Sequence, residues 1–267
     1  MRAMRTTDEQ AVGESWIRDH VQSLERGLAV ICCLGTSKEM TLTQVAEATA
    51  ITRAAARRFL LTLERLGYVG RTDRGYRLLP RTLELGYAYL SSQELPQIAQ
   101  PYLQQLASEL DESCGVSVLD QDAILYIARV TVSRLVGANL RAGSTLPAYC
   151  TAAGRILLAA LGPSELANYL KRAKLEPRAP HTITDPKVLA GEIEVARTQG
   201  WYLIDQEIEH GIRSVAMPIR DTSGKTIAAV NVSSYSTRVS LTQLHRKFLP
   251  RIRQTVEKIE AELHSHR

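Results

Sequence analysis

The chain has 267 residues, which is longer than a typical single domain. Of these residues 45% are hydrophobic and 23% are charged, a composition typical of globular proteins. No run approaches the roughly 18 apolar residues of a membrane-spanning helix, so no membrane partner is predicted. The net charge is +5, and residues 53–81 carry eight arginines against Glu64 and Asp73, an excess that attracts polyanions. These arginines are Arg53, Arg57, Arg58, Arg65, Arg71, Arg74, Arg77 and Arg81.

Residues 1–20 are polar and charged and lack the apolar stretch of a signal peptide. We therefore expect a flexible N-terminal arm at 1–20 and a cytoplasmic location. The four cysteines form no CxxC pair and have no histidine at metal-ligand spacing. They are expected to be reduced thiols that pack as small apolar side chains, with no metal and no cofactor. They are Cys32, Cys33, Cys114 and Cys150.

Three helices are predicted next. Ser23 is a candidate cap for the first, whose apolar face would be Leu24, Leu28 and Ile31 and which would stop at Gly35. Thr41 followed by Gln44 forms a capping box for a short second helix. After a turn at 49–51, Thr52 caps a third helix that runs to about Leu66. Its apolar positions are Ala56, Phe59, Leu60 and Leu63.

Two short strands, 68–71 and 76–79, follow around the turn-forming residues 72–75. Three helices and a hairpin predict a winged helix-turn-helix at 21–80, with a linker helix at 81–95. Beyond it, residues 96–267 alternate strand candidates (116–119, 124–130, 135–140, 215–220, 226–233) with helices (152–161, 164–172, 186–199). A final helix starts near Ser240 and bends at Pro250. Antiparallel hairpins with helices on their faces indicate an α+β domain.

In a helix-turn-helix the second helix of the motif enters the DNA major groove. Arg53 and Arg57 are four residues apart and share a helix face, where either can read guanine through a bidentate contact. Small residues between them, Ala54 and Ala55, let the helix approach the bases. The remaining candidates are Thr52 and Arg58 for phosphate, and Arg71 and Arg74 on the wing for the backbone or minor groove. The alternatives are a solvated arginine face and a winged helix used for protein contacts.

An enzyme is not predicted. The sequence has no GxSxG elbow, no glycine-rich phosphate loop and no HExxH motif. His181, His210 and His245 are scattered among ordinary residues.

Several stretches together resemble the IclR family of bacterial regulators. They are SLERGL at 23–28, ITRAAARRFLLTLERLGYV at 51–69, LP at 146–147 with TAAGR at 151–155, and GWYLIDQEIEHGIRSVAMP at 200–218. YIARV at 126–130, Arg134 and LPAYCT at 146–151 look like the branch that controls aromatic-acid catabolism in the β-ketoadipate pathway. Members of that branch respond to protocatechuate, 4-hydroxybenzoate or β-ketoadipate. One departure is Ala50, at a turn position where such motifs often have glycine.

The resemblance implies a winged helix, a linker helix and a GAF-like effector domain with an antiparallel sheet. It also implies a homodimer or homotetramer (a dimer of dimers) on a palindromic operator in double-stranded DNA. It places an effector site at Thr151, Ala152, Ser214, Asn231 and Ser233, for which a helix N-terminus and same-face strand positions are suitable. Arg134 is the predicted counter-charge for a small organic acid. Asp205 and Glu207 are predicted to be structural and to pair with Arg213.

Two alternatives stay open. The protein is a regulator of another carbon-source pathway with a short keto acid effector, or it is an effector-independent DNA-binding protein. The size of the second domain argues against the latter.

Overall fold

The computed structural model describes residues 20–132 and 140–265. The predicted N-terminal arm (except its last residue, His20), the predicted strand at 135–140 (except Leu140), and Arg134 lie outside the described residues. Within the described part, no helix is both long and apolar enough to cross a lipid bilayer. The chain divides into two compact units, Met1–Tyr87 and Ala88–Arg267. The predicted domain boundaries at 20/21, 80/81 and 95/96 remain predictions.

The first unit is a winged helix-turn-helix. Its helices are α1 (Gln22–Leu34), α2 (Leu42–Ala48) and α3 (Arg53–Arg65), and its hairpin is β1 (Val69–Thr72) with β2 (Gly75–Leu78). The capping box of α2 is confirmed, since the Thr41 side chain accepts from Gln44 N and the Gln44 side chain accepts from Thr41 N. The cap of α3 is confirmed as well, because the Thr52 side chain accepts from Ala55 N.

The prediction for α1 is wrong at two points. Ser23 does not cap the helix, which begins at Gln22 without any side-chain cap. The predicted apolar face is also misplaced, because Leu24 and Leu28 are exposed, whereas Val30 and Leu34 are buried. Val30 and Leu34 share a helix face and pack into the core formed with α2, α3 and the wing. That tertiary contact decides which stripe is buried.

The turn between α2 and α3 has a Schellman geometry with alanine in the position that usually holds glycine. Ala50 is left-handed, with φ of 51°. The N–H of Ala50 donates to the carbonyl of Glu47, and the N–H of Ile51 donates to the carbonyl of Ala46. The turn therefore keeps its usual hydrogen bonds, and the Cβ atom of Ala50 carries the cost of the left-handed backbone.

Ala50→Gly is expected to stabilise the first unit by about 0.5–1 kcal/mol. Glycine relieves the left-handed strain of roughly 1–2 kcal/mol, which its greater entropy in the unfolded chain partly offsets. Chemical denaturation of the full chain, followed by a probe of the first unit, measures the change. The matched control is Ala54→Gly on the exposed side of α3, where glycine is expected to destabilise. Destabilisation by Ala50→Gly would contradict the strain argument.

Helix α4 (Leu83–Ser92) follows a 3₁₀ turn at Pro80–Thr82, and the division between the two units falls within it. The second unit has helices α5 (Glu94–Leu110), α6 (Ala152–Ala159), α7 (Pro163–Arg172) and α8 (Pro186–Gln199). Its strands are β3 (Ser113–Asp120), β4 (Ala123–Val130), β5 (Thr145–Pro147), β6 (Tyr202–Asp205), β7 (Ile212–Arg220) and β8 (Thr226–Tyr235). Strands β5 and β6 are absent from the predicted elements.

The six strands form one antiparallel sheet in the order β5-β4-β3-β8-β7-β6. One face packs against α5 and the C-terminal helix. The other face packs against α6 and α8. This arrangement confirms the predicted α+β class with an antiparallel sheet and flanking helices.

The C-terminal helix starts with the predicted capping box of Ser240 and Gln243. A short α-helical turn (Leu241–Gln243) passes into a π-helical turn (Leu244–Phe248) and then into α9 (Leu249–Ser265). This widened turn lies directly before Pro250, and the bend that the sequence predicts there stays a prediction. Proline has no N–H to donate to the preceding turn.

Candidate DNA-binding surface and ligand pocket

The exposed side of α3 presents the predicted base-reading arginines. Arg53 and Arg57 are exposed, whereas Ala56, Leu60 and Leu63 on the opposite side are buried. Among the described residues, neither guanidinium makes a hydrogen bond or an ion pair. Both groups are therefore available for a ligand.

The first turn of α3 is small and polar, as expected for close approach to a polyanion. Thr52 is exposed, and its hydroxyl group caps the helix by accepting from Ala55 N. Ala54 is exposed and Ala55 is half-buried, so no bulky side chain shields this end of the helix. Arg58 is exposed beside them. The positive end of the helix dipole adds to the arginine charge here.

The wing arginines differ in how they are held. The Arg71 guanidinium donates to the Tyr76 hydroxyl at 3.2 Å and lies over that ring. Arg74 is exposed in the hairpin turn. Arg81 is committed elsewhere, because it donates to the carbonyl of Leu66 at the end of α3 and lies over the Tyr68 ring. Fewer arginines of residues 53–81 are therefore free to contact a ligand than the sequence alone suggests, because Arg71 and Arg81 have partners within the chain.

A pocket opens in the second unit between the sheet and the N-terminus of α6. Five of the six predicted effector residues line it: Thr151, Ala152, Ser214, Asn231 and Ser233. The space between its walls, open mouth included, is about 700 Å³. Its apolar lining includes Leu140, Leu146, Ile204, Ile208 and Ile212. Mostly apolar walls with a few convergent polar groups are typical of small-molecule sites.

Three polar side chains form a chain of hydrogen bonds in this pocket. Ser214 and Ser233 are cross-strand partners on β7 and β8, and Asn231 is two residues before Ser233 on the same face. The Asn231 amide nitrogen donates to the hydroxyl groups of Ser233 at 3.1 Å and Ser214 at 3.4 Å. The Ser233 hydroxyl donates to Ser214, which in turn donates to the carbonyl of Val232. The amide oxygen of Asn231 is buried without a hydrogen-bond partner in the described structure.

Thr151 and Ala152 act at the start of α6 in different ways. The Thr151 hydroxyl accepts from Gly154 N and donates to the carbonyl of Pro147, so it holds the helix end in place. Ala152 and Ala153 bring the first turn of the helix to the pocket wall. Unpaired N–H groups in such a turn favour an anionic group.

The structure adds Arg129, a pocket residue to which the sequence assigned no role. Arg129 lines the pocket, and its Nε and Nη1 atoms are buried without a hydrogen-bond partner in the described residues. Its guanidinium lies 4.6 Å from the centre of the Tyr126 ring. The signal was an arginine inside an otherwise apolar strand. Strict alternation along β4 would place Arg129 on the face opposite Tyr126. A register shift between β3 and β4 instead places both residues on the same face.

A buried ion pair lies beside the pocket and corrects one prediction. Glu207 pairs with Arg155, not with Arg213, at 2.5 Å. Arg155 is fully buried and also donates to the carbonyl of Tyr149 and the hydroxyl of Tyr202. Burial raises the pKa of Glu207, although Arg155 opposes this.

The second predicted pair is present. Arg213 contacts Asp205 at 2.6 Å and holds the pKa of that carboxyl below its usual range. Arg213 also donates to the carbonyls of Ser236 and Val239. Asp205 and Glu207 each hold an arginine side chain in this part of the chain, and their predicted structural role stays a prediction.

The cysteines follow their expected apolar packing only in part. Cys114 and Cys150 are buried, and burial raises the pKa of each thiol to about 12. Cys33 is half-buried, but Cys32 is exposed on α1, so the packing prediction is wrong for that residue. Among residues 20–132 and 140–265, no three His, Cys, Asp or Glu side chains form a group that would hold a metal ion.

Comparisons with known proteins cover both units. Residues 87–261 match the family described as "Bacterial transcriptional regulator IclR C-terminal", and residues 23–73 match the "IclR helix-turn-helix domain". The chain is 48% identical over 234 residues to the Pca regulon regulatory protein of Pseudomonas putida. That alignment covers 87% of this chain and 80% of the relative.

Two solved structures are similar. A protein of Rhodococcus sp. RHA1 described as a transcriptional regulator matches with a TM-score of 0.82 and 47% identity, over 93% of this chain and 100% of that one. The inducer-binding domain of the Acinetobacter transcription factor PobR, a double mutant in complex with 3-hydroxybenzoic acid, matches with a TM-score of 0.59 and 28% identity. This match covers 62% of this chain and 97% of that domain.

Proposed function

The chain belongs to the IclR family of bacterial transcriptional regulators, and from that premise we propose that a small organic acid of aromatic-acid catabolism controls its binding to operator DNA. One observation carries the effector half of this proposal. Five residues predicted from separate sequence segments line a single pocket with an apolar wall and a helix N-terminus. The related PobR domain holds 3-hydroxybenzoic acid, which is a ligand of the same chemistry.

The DNA-binding half rests on the exposed arginines of α3. Arg53 and Arg57 read base edges, and Thr52, Ala54, Ala55 and Arg58 approach the phosphate backbone. Arg71 and Arg74 on the wing contact the DNA backbone or the minor groove. Two such heads in a homodimer, or four in a dimer of dimers, match a palindromic operator, because protein symmetry and half-site symmetry correspond.

In this proposal the effector acts by binding alone, and no covalent bond is formed or broken. Binding shifts the regulator between two arrangements of the linker helix at 81–95, and only a difference in affinity for the two states can move that equilibrium. The protein works in the cytoplasm, where its DNA is, and needs neither a metal nor a cofactor. A short keto acid from another carbon-source pathway is the second candidate effector.

A thermal-shift series on the full chain tests the effector class. We expect 4-hydroxybenzoate, protocatechuate or β-ketoadipate, at about 100 times its Kd, to raise the Tm of the second unit by roughly 5–10 °C. Pyruvate serves as the short keto acid, and a stabilisation by pyruvate alone would move the assignment to that class. If none of these acids changes the Tm, the remaining alternative is an effector-independent regulator.

Ser233→Ala is expected to lower the affinity for the acid by roughly tenfold, where the acid is the one that stabilises the wild type. The affinity for operator DNA without ligand is expected to stay unchanged. The loss reflects one hydrogen bond and the disturbed partner groups Asn231 and Ser214. Isothermal titration of acid into each variant measures it. Ser164→Ala, on the exposed side of α7, is the matched control. Equal affinities for the wild type and Ser233→Ala would remove Ser233 from the pocket's contacts.

A further inference from the structure

Resting on the proposed function, we infer that Tyr76 is a positioning residue, which fixes the Arg71 guanidinium on the wing as a phosphate contact. Of the two DNA contacts proposed for the wing, the backbone and the minor groove, Arg71 is thereby restricted to the backbone. Arg74, in the hairpin turn, has no such restriction.

Arg71 and Tyr76 lie opposite each other in the hairpin. They are partners in the pairing of β1 with β2, so both side chains lie on one face. The Nη2 atom of Arg71 donates to the Tyr76 hydroxyl at 3.2 Å, and the guanidinium carbon lies 5.6 Å from the centre of the ring. The hydrogen bond holds one edge of the planar group, and the ring holds its face. The two contacts together restrict the guanidinium to one orientation.

Tyr76 is itself fixed by the body of the first unit. It is only 5% exposed and packs into the core that the three helices and the wing form together. Its backbone exchanges two hydrogen bonds with Met40, at 2.9 and 2.8 Å, which join the wing to the segment before α2. A Cβ atom at Gly75 would lie 2.3 Å from the carbonyl oxygen of Met40, so glycine permits this close approach. The ring that holds Arg71 therefore has little freedom to move.

The hairpin turn is tied to the same segment, but the Arg74 side chain is not. The Thr72 hydroxyl donates to Glu39 at 2.9 Å. It also accepts from the N–H groups of Gly75 at 3.0 Å and Arg74 at 3.3 Å. The side chain of Arg74 is exposed and makes no hydrogen bond, ion pair or ring contact among residues 20–132 and 140–265. The wing thus carries one fixed arginine and one free arginine.

A guanidinium held in this way is suited to a phosphate group. Arg71 is exposed, and Tyr76 is the one hydrogen-bond partner of its side chain in the described part of the chain. A guanidinium has five N–H donors, so donors remain for phosphate oxygens. Because the side chain is already ordered, it loses little conformational entropy when it binds.

The same contacts oppose a role for Arg71 in the minor groove. An arginine that reads the minor groove inserts its side chain between the two DNA backbones. Arg71 would have to leave both the hydroxyl and the ring of Tyr76 to do so. A phosphate contact carries no sequence information, so Arg71 is expected to add affinity for any duplex and no preference for the operator.

The salt dependence of DNA binding by the full chain, without effector, tests the phosphate contact. Arg71→Gln is expected to weaken binding to operator and scrambled duplexes by the same factor, about 3- to 10-fold. The slope of log K against log salt concentration should become shallower by about 1.8, or about 0.9 for each protomer of a dimer. Fluorescence anisotropy at several salt concentrations measures both quantities. A loss confined to the operator, with an unchanged slope, overturns the assignment and makes Arg71 a base contact.

Tyr76→Phe isolates the positioning role, because it removes the hydroxyl group and keeps the ring. Arg71 keeps its charge in this variant, so we expect the salt slope of the wild type and an affinity for both duplexes that is lowered by about 3- to 5-fold. The same substitution in an Arg71→Gln chain is expected to have no further effect. In an Arg77→Gln chain it should keep its full effect, since Arg77 is exposed on the opposite face of β2 and is the matched control.

An equal loss from Tyr76→Phe with and without the Arg71 side chain overturns the positioning role, because the hydroxyl group then acts on the wing itself. Thermal unfolding checks that each chain is folded. If Tyr76→Phe does not fold, Arg71→Lys decides, since lysine keeps the charge but not the planar group. A lowered affinity with the slope of the wild type supports the proposal, and an unchanged affinity overturns it.

The same measurements keep the wing separate from the proposed function. A wild-type chain that binds operator and scrambled duplexes equally would contradict the proposed operator recognition. The contact of Arg71 is still decided in that case, because its salt slope is measured on the scrambled duplex as well. A failed wing assignment, with the operator still preferred, leaves the proposed function intact.

Discussion

Arg57→Ala is expected to weaken binding to a two-fold operator by about 30-fold to 10⁴-fold, with little change in binding to unrelated DNA. A bidentate arginine–guanine contact contributes about 1–3 kcal/mol of discrimination, and a dimer makes it twice. Arg57 is suited to this contact because it is exposed on α3 and makes no hydrogen bond or ion pair within the described residues. Losing it therefore removes recognition without disturbing the fold.

Two other arginines of α3 make the experiment specific. Arg58→Ala is expected to weaken operator and unrelated DNA alike and to reduce the salt dependence of binding, because a phosphate contact carries no sequence information. Arg65→Ala removes the same charge at the far end of the helix and should change little. Fluorescence anisotropy with operator and scrambled duplexes at several salt concentrations separates these cases. If Arg57→Ala weakens both duplexes equally, Arg57 is a backbone contact.

The winged helix could be predicted closely because its signals are local. A capping box, a threonine cap and a basic third helix each depend on residues within a few positions of one another, and Thr41, Gln44 and Thr52 act as the sequence indicated. The buried side of α1 could not be predicted in this way. Val30 and Leu34 are buried by packing against α3 and the wing, which is a contact between distant segments.

The pocket shows the same limit in a different form. Ser214, Asn231 and Ser233 share a face because strand alternation holds along β7 and β8. Alternation fails on β4, where the extra residue Ile127 moves Arg129 to the pocket side. A bulge depends on the pairing of two strands, so the strand's own sequence does not reveal it. The partner of Glu207 was likewise out of reach, since Arg155 lies on a separate helix 52 residues away along the chain.

Arg155→Met is expected to destabilise the second unit by about 3–5 kcal/mol. Removing one partner of a buried ion pair leaves the other charge without compensation. Here the loss leaves Glu207 unpaired and takes a donor away from the carbonyl of Tyr149. For a unit of this size the change corresponds to a fall in Tm of roughly 6–20 °C. Thermal unfolding of the full chain, with the wild type in parallel, measures it.

The pH dependence and a double variant distinguish this cause from a general packing defect. Burial already raises the pKa of Glu207, and loss of Arg155 raises it further, because the folded state then favours the neutral acid. A group whose pKa is higher in the folded state loses stability as the pH rises, so the deficit of Arg155→Met should be smaller at pH 5 than at pH 8. Arg155→Met/Glu207→Met, which removes both charges, is expected to recover at least half of the loss. A deficit that is equal at both pH values and unrelieved in the double variant would show that Arg155 acts through its volume.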